Sequence, residues 1–491
     1  MRRLISLHAL WIAACLLPAG WLAGCATNPV TRQPEFVLMS EDREIALGRR
    51  LNPQILEEMG RYPDEALQAY VQSVGERLAR VSDRPGLIYR FTVVDTPDVN
   101  AFALPGGYIY VARGLLAYLE SEAELAAVLG HEVGHVAARH AVRQYTAATT
   151  VGILSAVIAG TTGVQGAGDL ARVISTAIVR GYGRRHELEA DRLGAIYLAR
   201  AGYPPEAMLA VLRVLKAQEA FEKKLAEEEG REPRVYHGLF ATHPDNDARL
   251  KAVIEAARPL LKGAPPSALD RDEAFLHRLD GLVYGQRAED GITRGNRFYH
   301  GPLGFALRFP AGWRIENLPD RLIARAPGGE LLIQLTTTDL NRRLTPREFL
   351  QRRLEVRDPR EGRPLRIHGL PGYTALGRAD TPWGRRMVRY VVVFLDDRAY
   401  IFAGASRTPN DPRRDRVTLE TARSFHRLKP EERPLAEPLR LRLIRATAGL
   451  TYAELARRSA LSDHAEDILR LLNHHWPSGE PLPGQLVKLV K

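Results

Sequence analysis

The sequence predicts a multidomain chain of α+β character: a helix-rich first half, then an antiparallel-sheet domain, then a small strand–helix–helix–strand (βααβ) module. Three observations predict this. The chain has 491 residues, enough for two to four separate cores. Its apolar residues recur at helical spacing as far as about residue 260 and alternate in short runs from Phe298 onward. Two proline-rich stretches, Gly263-Ala264-Pro265-Pro266-Ser267 and Lys429 to Pro438, punctuate the pattern.

Residues 1–24 read as a secretory signal, with Arg2 and Arg3 ahead of an apolar run from Leu4 to Leu22. The run is nearly long enough to cross a bilayer, so an uncleaved anchor is the alternative. Leu22-Ala23-Gly24-Cys25 looks like a bacterial lipobox, which implies a lipoprotein signal peptide and lipidation of Cys25; Ala26 resembles the residue of lipoproteins sorted to the outer membrane. Cys15 leaves with such a leader and Cys25 is modified, so neither of the two cysteines remains for a disulfide.

Residues 25–262 are expected to form the first domain. Its most informative stretch is His131-Glu132-Val133-Gly134-His135. On a helix, residues four apart share a face, so both imidazoles can converge on one cation with Glu132 beside its open side. Ser121 and Glu124 read as a capping box that opens this helix, and Leu125, Val128, Leu129, Val133 and Val136 make it apolar around much of its girth. A buried helix bearing two histidines and a glutamate is costly unless they find partners. A cation supplies one; a pair of hydrogen-bonded core histidines is the alternative. His140 lies about 140° further round an extended helix than His135, which predicts a surface position outside the site.

A zinc site needs a third protein ligand from another element. Glu187 is the candidate, at the start of His186-Glu187-Leu188-Glu189-Ala190-Asp191-Arg192, a segment that reads as a helix stopped at Gly202 and two prolines. Glu187 and Asp191 share a face, so one can meet the metal while the other holds the free ring nitrogen of a ligand histidine. Glu189 points elsewhere. The alternative is an acidic helix start facing solvent, flanked by Arg184 and Arg185.

Together H-E-x-x-H and the later E-x-x-x-D resemble the gluzincin peptidases, which include the CAAX prenyl protease, HtpX and the BepA/LoiP-like periplasmic zinc metallopeptidases. Asn100 to Gly107, Tyr108-Ile109-Tyr110-Val111 and Arg113-Gly114-Leu115 look like that family's strand and turn ahead of the metal helix. The resemblance implies a mainly α-helical, zincin-type α+β metallopeptidase domain with one zinc ion per chain. Ala241-Thr242-His243-Pro244 and Arg249 resemble a T-H-P-x-x-x-x-R segment of the BepA-like group. That implies His243 as a regulatory fourth ligand and Arg249 as a catalytic charge near the substrate. Zinc held by two neutral imidazoles and a carboxylate lowers the pKa of its water to near ~7. Glu132 is then the general base, not a ligand. The alternating Tyr108–Val111 strand is expected to be an edge along which an extended substrate adds. Thr149 to Val164 suggests a loop or helix packed over the cleft, with a short membrane span as the alternative.

Residues 263–296 are expected as a linker region. From 297 to 428 the pattern predicts strands at Phe305–Phe309, Leu331–Thr336, Met387–Leu395 and Ala399–Ala403, with helices near Pro346–Leu354 and Val417–Phe425. This α+β accessory domain is similar to small PsbP-like domains and shows no catalytic cluster. Residues 439–491 resemble a LysM module, a glycan-binding unit, in Leu455-Ala456, Leu471-Leu472-Asn473 and Leu482-Pro483-Gly484-Gln485. A small docking domain is the alternative.

The formal charge of +11 is spread in Arg-rich stretches and carries no recognition motif, which argues against nucleic acid as a partner. Anionic lipid or cell-wall polymer fits it better. The expected function is thus a zinc metalloendopeptidase of the bacterial envelope. It would be lipid-anchored on the periplasmic face of the outer membrane and would act on unfolded or misassembled envelope polypeptides. Peptidoglycan and the outer-membrane assembly machinery are candidate partners. The rival is an assembly chaperone or scaffold with a latent metal site.

Overall fold

The computed structural model describes residues 25–147, 149, 182–233, 246–261, 272–318 and 320–491. They divide into two compact units, one made of the chain up to Tyr284 together with Arg440–Lys491, the other of Gly285–Leu439.

The first unit opens with a hairpin of β1 (Cys25–Thr27) and β2 (Pro34–Phe36), followed by helices α1 (Glu41–Met59) and α2 (Glu65–Arg80). Ser40 and Asp64 cap the two helices by accepting from the backbone N–H three residues on, as short polar side chains do at a helix start. Strands β3 (Arg90–Val94), β4 (Ala101–Leu104) and β5 (Tyr108–Ala112) form a small sheet in the order β3-β5-β4, with β3 parallel and β4 antiparallel to β5. The expectation of an edge at Tyr108–Val111 is therefore corrected: β5 is the central strand. All five of its residues are buried, and a strand covered on both faces alternates too little to reveal its place in a sheet. The turn into β5 uses Gly106 and Gly107 at φ +78° and +89°; a Cβ on Gly106 would stand 2.7 Å from Cα of Ile45.

After the one-turn helix α3 (Arg113–Leu116) comes α4 (Glu122–Ala137), which carries the H-E-x-x-H motif. Ser121 Oγ accepts from Glu124 N–H at 3.2 Å, whereas the Glu124 carboxylate takes the N–H of Glu120 rather than that of Ser121, so the box is shifted by one residue. Helix α5 (Arg184–Ala201) packs along α4, then α6 (Ala207–Glu228), α7 (Asn246–Ala257) and α8 (Glu273–Arg278) follow, and β6 (Val283–Tyr284) closes the segment.

The second unit starts within the stretch expected as a linker. Strands β7 (Ile292–Arg294), β8 (Arg297–His300) and β9 (Phe305–Arg308) form a meander. A seven-stranded antiparallel sheet follows, built from β10 (Arg314–Leu318), β11 (Arg321–Arg325), β12 (Leu331–Asp339), β13 (Arg360–Ile367), β14 (Leu370–Thr381), β15 (Gly384–Leu395) and β16 (Arg398–Ser406) in the order β10-β11-β12-β16-β15-β14-β13. Helix α9 (Pro346–Arg352) lies within its predicted stretch, helix α10 (Pro412–Arg423) overlaps its own but starts earlier, at Pro412 behind the Asp411 cap, and β17 (His426–Arg427) joins the meander beside β9. Phe298, Phe305, Phe309, Tyr400, Phe402 and Phe425 meet in one core. The short elements α8, β6 and β7 span two to six residues each, too few to show a period, which is why residues 272–296 read as linker.

The chain then returns to the first unit with β18 (Leu439–Arg445), α11 (Tyr452–Arg458), α12 (Ala465–Leu472) and β19 (Leu486–Val490). This βααβ module does not stand apart. Strand β18 lies between β19 and β6 in one sheet. Lys488, fully buried, donates to the carbonyls of Ala117 and Leu119 at 2.9 and 3.0 Å, and His474 Nε2 meets the Tyr118 carbonyl at 2.5 Å. The module thus grips the loop that leads into α4. Among the described residues no helix is long and apolar enough to cross a membrane.

Candidate metal centre

Helices α4 and α5 approach closely because glycines line their contact. A Cβ on Gly134 would stand 2.9 Å from the Ala190 carbonyl, and one on Gly194 3.1 Å from His131 N. That approach brings Glu187, in the first turn of α5, opposite the two histidines of α4. His131 Nε2 and His135 Nε2 are 2.9 Å apart, and Glu187 Oε2 is 3.5 and 3.9 Å from them. One ligand atom from each of the three residues falls within 4.8 Å of the others.

Each histidine's second nitrogen is engaged. Asp191 Oδ1 lies 3.0 Å from His131 Nδ1, and His140 Nδ1 lies 2.8 Å from His135 Nδ1. Both Nε2 atoms are therefore the ones left to face a cation. Two imidazole nitrogens and one carboxylate oxygen, held from behind and converging from two helices, fit a three-ligand zinc site. Tyr182 stacks on His135 with ring centroids 4.2 Å apart, and its backbone N–H donates to Glu187 Oε1 at 3.1 Å.

Burial shapes the charges. It pushes the Glu132 carboxyl up to about 7, a repulsion from Glu187 adding to the effect and His131 opposing it. Burial acts against a charged His131, but Asp191 and Glu187 outweigh it and hold that ring at about 10. His135 is held well below its ordinary value by burial and by the neighbouring His131 and His140 rings.

His140 is a correction to the sequence reading, which put it at the surface: it is fully buried and in contact with His135. The extrapolated helix ends first. Arg139 takes a left-handed φ of +55°, and its guanidinium is pinned by Glu44 at 2.8 Å and by the Met39 carbonyl at 2.8 Å, so the chain turns and carries His140 back. Glu189 points away from the metal-facing atoms, towards His140 and Arg143. Sequence reasoning missed His140, His186 and Tyr182; an Arg in a left-handed conformation leaves no compositional mark. His243 and the 150–181 stretch lie outside the described residues, and of Arg249, in α7, and Cys25, in β1, the structure describes only the backbone.

H-E-x-x-H on one helix facing E-x-x-x-D on another is the arrangement expected from the resemblance to the gluzincin metallopeptidases. Residues 65–257 match the model of Peptidase family M48. The chain is 30% identical to the Beta-barrel assembly-enhancing protease of Yersinia pestis over 327 residues, which are 61% of this chain and 63% of that one. It is 33% identical to the Mitochondrial metalloendopeptidase OMA1 of Arabidopsis thaliana over 183 residues, 37% of this chain and 36% of that one. It thus spans less than two thirds of the length of these relatives. Among solved structures, cyanobacterial PsbP from Synechocystis sp. PCC 6803 matches with a TM-score of 0.22 at 13% identity, over 28% of this chain and 95% of that one.

Proposed function

We propose that this chain is a zinc-dependent endopeptidase in which His131, His135 and Glu187 hold the metal, Asp191 steadies His131 and Glu132 is the general base. The observation that carries this reading is the convergence of the two Nε2 atoms and one Glu187 oxygen within 4.8 Å, with both Nδ1 atoms already engaged. Zinc bound there supplies an acidic water and polarises the substrate carbonyl. A carboxylate oxygen of Glu132 takes a proton from the attacking water as the O–C bond forms. The same oxygen then gives that proton to the amide nitrogen as the C–N bond breaks. Burial raises the proton affinity of that carboxyl, which favours its taking up the proton in the first half of the transfer. An extended substrate strand would add along β4, which packs on α4 and, among the described residues, pairs with β5 on one side only.

The substrate class is misfolded or misassembled envelope protein. The similarity to the Beta-barrel assembly-enhancing protease of Yersinia pestis supports it, as does the lipobox-like Leu22 to Cys25. Anchoring through Cys25, control by His243 as a movable ligand and a charge from Arg249 near the substrate belong to the same reading. Glu132→Gln tests it with casein as an unfolded substrate. Turnover should disappear while stoichiometric zinc stays bound, and zinc should be lost on His131→Ala. Undiminished casein cleavage by Glu132→Gln would overturn the mechanism, and a folded parent that binds no zinc would overturn the reading as a whole.

A further inference from the structure

The two candidate ligand histidines are supported differently. His131 meets a carboxylate directly, at Asp191, whereas behind His135 stands another imidazole. Nε2 of that second ring, His140, lies 3.3 Å from Glu189 Oε2. The same oxygen accepts from Arg143 Nη1 at 2.8 Å, and Arg143 Nε in turn pairs with Glu35 at 2.8 Å. His186 stacks on the His140 ring, centroids 4.4 Å apart and planes within 20°. His140 is thereby fixed in plane and in rotation.

Two ring nitrogens 2.8 Å apart must have one donor and one acceptor. For Nε2 of His135 to offer a lone pair to a cation, the ring's proton must sit on Nδ1 and point at His140 Nδ1. His140 then carries its own proton on Nε2, where Glu189 accepts it. A carboxylate oxygen can only accept, so one end of the line sets the polarity of all of it. His140 itself cannot ligate, because its Nδ1 is engaged on the side of His135 that faces away from His131.

We infer that His140, Glu189 and Arg143 are a positioning relay that sets the tautomer and ring orientation of His135. The relay does at two removes what Asp191 does directly for His131. A carboxylate behind a ligand histidine strengthens it and fixes its direction, and loss of such a partner typically costs about 10–100-fold in metal affinity. This inference rests on the zinc reading above.

The test is zinc affinity of the full chain, measured by competition with a chromophoric chelator, beside the melting temperature of the metal-free protein. His140→Ala should lower zinc affinity on the order of 10–100-fold, beyond any loss that its lower metal-free melting accounts for. Glu189→Gln, which keeps size and removes charge, should lower it by a smaller factor and carries the test if His140→Ala does not fold. The double variant should be no weaker than His140→Ala alone, since both act through one line. The relay is overturned if both single variants bind zinc like the parent, if affinity falls only as far as metal-free melting does, or if the two losses multiply. A parent that binds no zinc would remove the zinc reading and the relay together; a zinc-binding parent with unaffected variants would remove the relay alone.

Discussion

Asp191 Oδ1 lies 3.0 Å from His131 Nδ1, one helical turn beyond Glu187 on α5, so one face of one helix supplies both the carboxylate of the candidate metal cluster and the carboxylate behind one of its imidazoles. Asp191→Ala should therefore lower zinc affinity on the order of 10–100-fold and slow peptide hydrolysis, while Glu132→Gln abolishes hydrolysis and keeps the metal. Equilibrium dialysis against buffered zinc separates the two.

Gly134, inside the H-E-x-x-H motif, owes its size to α5 rather than to chemistry. A Cβ there meets the Ala190 carbonyl at 2.9 Å and Ala190 Cα at 3.2 Å, both backbone atoms that cannot swing aside. Gly134→Ala should push the helices apart, cost about 1–3 kcal/mol in equilibrium unfolding and weaken zinc binding by moving Glu187 away from the histidines.

Lys488 is an ammonium with no exposure that donates to two backbone carbonyls of the loop before α4. Lys488→Met keeps the stem and removes the donor, leaving those acceptors buried. The expected loss is about 1–3 kcal/mol of stability. Urea titration of the full chain, read by tryptophan fluorescence, measures it.

In the second unit, burial pushes the His300 imidazole down to about 4 from an ordinary 6.5. The unfolded chain then binds a proton more readily than the folded one between those values, so stability is full above pH 6.5 and falls as pH drops towards 4. His300→Gln should flatten the dependence of that unit's melting temperature on pH across this window, as read by calorimetry at several pH values.

The parts of the site that could be read from the residues alone are those set by helical spacing. His131, His135, Glu187 and Asp191 each stand four residues from a partner, and the structure keeps each pair on one face. What could not be read depends on contacts between distant segments. Arg139 leaves the helix because Glu44, 95 residues earlier, and the Met39 carbonyl hold its guanidinium, and only then does His140 reach His135. The central place of β5 is likewise fixed by pairing to β3 and β4, which its own residues do not encode. In the second unit β9, β12, β15 and β16 were legible as apolar runs, whereas β10, β11, β13 and β14 were not, their residues being largely polar, half-exposed or interrupted by glycine.

Strand β18 beside β6 places residues 440–491 in the unit that contains the candidate metal centre, with the entire second unit inserted between Tyr284 and Arg440. A polypeptide made N-terminus first cannot seat Lys488 under the loop before α4 until residue 488 has been synthesised. Its histidines and glutamates are all synthesised long before that. The loop before α4 therefore takes its final contacts from a segment 369 to 371 residues further along the chain, so the helix that carries the candidate ligands is braced by a partner from beyond an inserted unit in the sequence.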